Sequence, residues 1–309
     1  MLMIEPIEVT DDVLLSTTAE SDSTSAYDPD TKYSKGDVVA EEERRYESMI
    51  DDNDTYPPDN TLAEVGPGDA TWLDLGATNK WRPFDQVIAA QCEGDGDLEI
   101  EIDPPSAITA VAFFNLDATR LEIEIPEKQD DDTWETVWLR EDSLIDNTMV
   151  YDAWTYAYAP IHYQADLAAW DLPTLIEDAR LTLRIKHVDD DTNAKVGQIV
   201  MGRQVDLGMT TYGSQAGIDD WSTVERDKYG NATIRRRRHS RRFRYDVTVD
   251  DGDIYRVQSR LIQYLATPAV YVGAIDRPET LVFGFYRDFA ITIQNPAYSR
   301  ADIEVEGLT

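Results

Sequence analysis

The chain has 309 residues, 42% apolar and 10% aromatic, with 61 acidic against 28 basic side chains and a formal net charge of -33. That is apolar material enough for two or three domain cores and too much for a disordered chain, while so negative a surface repels phosphate backbones and anionic lipid headgroups, which disfavours nucleic acid and membranes as main partners everywhere but near the C-terminus. The single cysteine, Cys92, excludes an intramolecular disulfide and a cysteine-based metal site.

In chain order, MLMIEPIEVTDDVLL has no basic n-region and does not read as a signal peptide. Its apolar residues Ile4, Ile7, Val9, Val13, Leu14 and Leu15 precede the small polar run STTAESDSTSA. Residues 1–26 therefore read as an extended arm and linker, too short to fold alone, that docks on another chain or on a later domain. Residues 27–85 form a compact unit rich in Tyr, Trp, Pro and Gly. Gly36-Asp37 before a short apolar run, then alternation from Arg45 to Met49, are hairpin signals.

From 86 to 205 the pattern is β. Leu98, Ile100 and Ile102 alternate with acids, as do Leu121, Ile123 and Ile125, the period of strands with one solvated acidic face. ITAVAFFNL, LTLRIKHV and VGQIVMG add further strands, and only residues 166–179 have the pattern of a helical turn, limited by Pro173. From 206 to 309, IYRVQSRLIQYLA has helical spacing, and YDVTVDD, PAVYVGAI, TLVFGFYRDFAITIQ and ADIEVEGL read as strands. The expected fold is mainly β: a small aromatic-rich module, an antiparallel jelly-roll-like β-sandwich and a C-terminal β-rich α+β domain.

Catalytic patterns are sparse. His162, His187 and His239 are scattered outside any metal-binding spacing, and GxSxG and GxxxxGK[ST] do not occur, so no enzyme is expected. Asp-rich clusters at 51–54, 93–97, 130–132 and 189–191 lack EF-hand spacing. They read as solvated turns, with Ca²⁺ unsupported by any motif and no cofactor expected.

The charge is unevenly placed. Residues 1–234 carry 16 basic against 51 acidic side chains, whereas 235–309 carry 12 against 10. Seven arginines fall within ten residues: Arg235, Arg236, Arg237, Arg238, Arg241, Arg242 and Arg244. Running straight into a strand pattern, they read as a strand or hairpin edge that pairs with acidic surfaces of the same or a neighbouring chain, with a solvated edge and a nucleic-acid contact as the alternatives. Lys is nearly absent, 7 against 21 Arg, and Asp reaches 40, a balance suited to a salt-rich, halophilic environment that screens the repulsion.

Tyr33, Tyr46, Trp72 and Trp81 sit in a unit too small to hide them all. They read either as a minimal aromatic core or as exposed platforms for sugar faces or an interface. TKYSKGDVV, RRYES, PP and WLDLGATNKWRPFD together resemble a module recurrent in virion proteins of tailed bacteriophages. The first half is also similar to small chitin-binding carbohydrate modules through Tyr33, Gly36, Val39, Tyr46 and Trp72; residues 75–85 are the more specific part. AKVGQIVMGR resembles the end of a galactose-binding-like sandwich, and GMTTYGSQAGIDDWS, KYGN, TPAVYVG and FGFYRDFAI resemble the C-terminal region of the same proteins. The resemblance implies a virion tail or baseplate subunit that works as a homo-oligomer with other tail subunits, attaching appendages or contacting the host surface. A neck or collar protein, and an adhesin stacking host glycans, stay open as alternatives.

Overall fold

The computed structural model describes residues 1–309 except 67, 130–132, 147–149, 174–178, 189–191 and 294–296. The chain is mainly β, 49% strand against 11% helix, which agrees with the alternating patterns in the sequence.

In chain order, β1 (Leu2–Pro6), β2 (Leu14–Thr17) and β3 (Ser25–Ala26) precede β4 (Val38–Glu41), β5 (Arg44–Ser48), α1 (Leu62–Val65) and β6 (Trp72–Ala77). The sandwich region holds β7 (Cys92–Glu93), β8 (Leu98–Ile102), β9 (Ala110–Phe114), β10 (Arg120–Lys128), β11 (Trp134–Ser143), β12 (Ile145–Asp146), α2 (Ala153–Tyr158), β13 (His162–Tyr163), β14 (Leu167–Ala169), β15 (Leu181–Lys186), β16 (Lys195–Val196) and β17 (Gln198–Asp206). Then follow β18 (Met209–Thr210), β19 (Gln215–Asp220), β20 (Thr223–Arg226), β21 (Ala232–Arg235), β22 (His239–Asp250), α3 (Ile254–Gln263), β23 (Ala269–Val272), β24 (Leu281–Ile293) and β25 (Tyr298–Gly307).

The two acid-alternating segments become β8 and β10 of a five-stranded sheet ordered β11-β10-β15-β8-β2. Leu98, Ile100, Ile102, Leu121 and Ile123 point inward, each at most 1% exposed. Their acidic neighbours face out but are not left to water alone: Arg180 meets Glu101 at 2.8 Å, Lys186 meets Glu122 at 2.7 Å, and Arg184 bridges Glu99 and Glu124. Such cross-strand pairs stabilise a sheet face modestly. Opposite lies a curled ten-stranded sheet, ordered β14-β9-β17-β1-β23-β24-β25-β22-β18 with β19 also on β22. The main apolar core fills the gap between the five-stranded sheet and the β9-β17 side. A second core, containing Tyr245, Tyr271, Val257 and Leu261, lies beneath α3, whose expected helical spacing is realised over Ile254–Gln263.

Three expectations are corrected. Residues 1–26 are not an extended arm: β1 lies between β17 and β23, with Met3 paired to both Val205 and Tyr271. Adjacent strand residues face opposite ways, so Met3 enters one core and Ile4 another, both 0% exposed. Of the two docking options, the terminal segment takes a later part of its own chain, and β2 and β3 join the five-stranded sheet and the module. Secondly, the expected break near residue 205 is crossed by a continuous sheet that shares β1 between its halves. Thirdly, residues 167–169 form β14 rather than a helical turn, because pairing with β9 outweighs local spacing; 174–178 lie outside the described residues, as do the Asp clusters at 130–132 and 189–191.

The close packing around β1 depends on Gly202. A Cβ there would stand 1.8 Å from the Glu5 carbonyl oxygen, with backbone rather than a yielding side chain in the way. Gly202→Val is therefore expected to destabilise the protein by upward of about 3 kcal/mol, read from the urea midpoint. Gly252→Ala, which meets nothing within 4 Å, should leave it nearly unchanged.

Candidate assembly interface

The aromatic unit folds around its own aromatics. In the sheet β3-β4-β5-β6, Tyr33, Val39, Tyr46 and Trp72 form one cluster joined by Tyr27. Trp72 is 0% exposed and its Nε1 donates to the Thr55 carbonyl at 2.9 Å. Trp81 belongs to a different core: it is 6% exposed inside the main sandwich cluster. Tyr33, Tyr46, Trp72 and Trp81 thus leave no ring face open to a sugar, and the stacking platform considered from sequence is not built from them. An uncharged ring with neighbours available on both faces is better buried than solvated.

The stretch 75–85 is the joint between module and sandwich. Gly76 turns the chain at φ 93°. Asn79, 5% exposed, then ties three segments together: its Nδ2 donates to the Glu20 and Glu93 carbonyls, both at 2.8 Å, and its Oδ1 accepts from the Glu93 amide at 3.0 Å. Arg82 adds bonds to Asn79 Oδ1 and to the Gln91 carbonyl. A buried amide with this many partners holds one geometry.

The arginine run lies on a projecting hairpin. β19 pairs with the start of β22, from Gln215 opposite Arg244 to Asp220 opposite His239. The ribbon continues beyond the sheet as β20 and β21, linked across its waist by Trp221 N to Arg238 O and Arg237 N to Ser222 Oγ. Asp227 shapes the tip, accepting from the Asn231 side-chain amide and from the backbone amides of Asn231 and Tyr229, and these bonds hold its carboxyl below the usual range. Each limb from 221 to the tip reaches about 20 Å at strand rise.

Arg241, Arg242 and Arg244 at the root pair within the chain, with Asp166 at 2.7 Å, Asp219 at 3.5 Å and Asp302 at 3.5 Å. Arg235, Arg236, Arg237 and Arg238 are exposed and, among the described residues, have no carboxylate within ion-pair distance. Same-chain pairing is thus realised by Arg241, Arg242 and Arg244, while Arg235 to Arg238 are solvated in this structure. The arm also displays Val224 and Ile234, directly opposite each other, with Trp221 and Tyr229, all at least 54% exposed.

Sequence reasoning missed a second surface. A groove of about 440 Å³ between module and sandwich is walled by Ile7, Trp81, Phe84 and Phe283 and edged by Glu8, Glu42, Glu43 and Asp85. Glu42 and Glu43 form the two-residue β4-β5 turn at φ 45° and 69°, a conformation usually given to Asn-Gly or Asp-Gly. Two glutamates at such a turn were the one available local signal. Arg44 in the groove is occupied by Asp74 at 2.8 Å, and nearby Lys80 by Asp11 at 3.0 Å. Burial, then the charges of Asp11, Glu8 and Glu42, hold the Glu43 carboxyl above its ordinary range, against Lys80; burial does the same for Asp85.

The sign follows. A carboxyl whose folded-state pKa is raised costs nothing while protonated and destabilises as pH rises through its folded-state value. Glu43→Gln is expected to raise Tm at neutral pH, with the gain closing as pH falls through the ordinary glutamate range. Calorimetry across that window checks it, and a lower Tm at neutral pH would contradict the reading of Glu43 as uncompensated.

Compared with known proteins, the chain matches no family model and no curated protein.

Proposed function

We propose that the chain is a structural assembly subunit of a tailed-virus particle, placed at the tail tip or baseplate, where it joins neighbouring subunits and carries appendages or meets the host surface. The observation that carries the assembly reading is the projecting ribbon 221–238. A two-stranded ribbon with exposed Trp221, Val224, Tyr229 and Ile234 gains little from its own chain, and apolar patches of this kind mark surfaces that partners cover. The resemblance of 27–85 and of the C-terminal motifs to virion proteins supplies the particle, and the excess of Asp over Lys supports a salt-rich setting. Proteomics and immunogold labelling of purified particles test the proposal: the chain should be present at one end of the tail, and absence from particles removes it.

A second reading, glycan contact, is favoured by a different set of aromatics. Tyr151, Trp154, Tyr156 and Tyr158 around α2 are 68–82% exposed. Asp152 caps that helix in a reciprocal bond set with Thr155. Glycan-array binding abolished by Trp154→Ala, with Tm unchanged, would support it; equal binding by both proteins would remove it.

A further inference from the structure

We propose that the arginine run of the arm seats in the acidic groove of a second copy, so that copies join head to tail. This rests on the assembly reading and names the partner and surface for the same arm.

Two surfaces of the chain are each left without a complement. On the arm, Arg235, Arg236, Arg237 and Arg238 stand exposed beside Trp221 and Ile234, without an ion-pair partner among the described residues. In the groove, Glu8, Glu42, Glu43 and Asp85 edge apolar walls; the neighbouring Arg44 and Lys80 make their ion pairs with Asp74 and Asp11 and offset the groove's negative charge only in part. The four arginines of the arm are opposite in charge to the four carboxylates of the groove, and the flanking Trp221 and Ile234 match the partly exposed Phe84 and Ile7. Tyr56 orients the rim by donating to Glu42 at 2.7 Å and to Glu41 at 3.1 Å. Guanidinium forks pair with carboxylates in two-point geometry, and a low-dielectric wall strengthens each pair over its value in open water.

The remainder of the chain makes a copy of itself a fitting partner, since residues 1–234 carry 51 acidic side chains against 16 basic. Arm and groove are different surfaces, so the contact is heterologous and propagates into a ring or a filament rather than closing on a two-fold axis.

The test uses sedimentation velocity on the purified full-length chain over a range of concentration and salt, with Tm confirming that each variant is folded. Wild type should self-associate. Arg236→Gln with Arg237→Gln, and separately Glu42→Gln with Glu43→Gln, should each weaken association by about 30-fold or more. Charge reversal is the sharper arm: the proteins carrying Arg236→Glu with Arg237→Glu, or Glu42→Arg with Glu43→Arg, should each be monomeric, and mixing them should restore association. If the arm variants dissociate while the groove variants associate as wild type does, the groove assignment falls and the assembly reading stands. If association ignores both sets, the arm loses its role and the assembly reading loses its carrying observation. A monomeric wild type, or one that instead binds an oligonucleotide through these arginines, overturns the self-contact and leaves the particle test above to decide the function.

Discussion

Trp81→Ala is expected to destabilise the folded chain by about 3–5 kcal/mol, the range for truncating a buried large aromatic, and to leave any glycan affinity unchanged. Trp81 is 6% exposed in the sandwich core, edge-on to Phe84 at 6.3 Å between ring centroids. Its loss opens a cavity where module and sandwich meet, beside Asn79. Asn79→Ala should add to the case with a cost of about 2–3 kcal/mol, since the Glu93 amide and the Glu20 and Glu93 carbonyls lose a buried partner. The measurement is a urea titration followed by far-UV circular dichroism, with m reported alongside the midpoint, because a module that unfolds alone lowers m. A Trp81→Ala protein of wild-type stability with lost sugar binding would restore the platform reading for that residue.

Removing residues 1–6 is expected to prevent folding altogether. The deletion takes a central strand from the ten-stranded sheet and leaves β17 and β23 with unpaired edges inside the protein. It also removes Met3 and Ile4 from two cores and breaks the Glu5 contact with Arg260 of α3 at 3.3 Å. Each buried side chain alone is worth about 2–5 kcal/mol against alanine, and total stabilities of domains lie near about 5–15 kcal/mol. The expected product is insoluble, or soluble without near-UV dichroism. A latch for a neighbouring subunit would behave differently: the truncated chain would fold as a monomer and fail only in assembly. The ratio of monomer to aggregate after refolding separates the two.

The strands of the sandwich were legible because their code is local. Leu98, Ile100 and Ile102 repeat with the pleat, and no distant residue is needed to see that one face is wet. Helix α3 was legible for the same reason. The role of β1 was not: LMIEP is too short to show a period, and its burial on both faces depends on strands some 200 and 270 residues further along. Tyr33, Tyr46, Trp72 and Trp81 could be singled out as important, but core and platform share one residue type, and only packing distinguishes them. The groove was hidden by composition. Among 61 acidic residues, Glu8, Glu42, Glu43 and Asp85 carry no mark until the fold gathers them.

By itself, then, the sequence determined the β class, an aromatic-rich segment over 27–85 and the division of charge between an acidic body and an arginine-rich segment. Those are properties of neighbours along the chain: alternation, spacing and local charge. Tertiary structure alone decided that the N-terminal segment is a central strand, that the aromatics face inward, and that four of the seven arginines are exposed on a ribbon, with no ion pair among the described residues, while three pair at its root. The reason is physical. Burial and ion pairing depend on which distant surfaces meet, and a side chain's type does not say which partner the fold will bring to it.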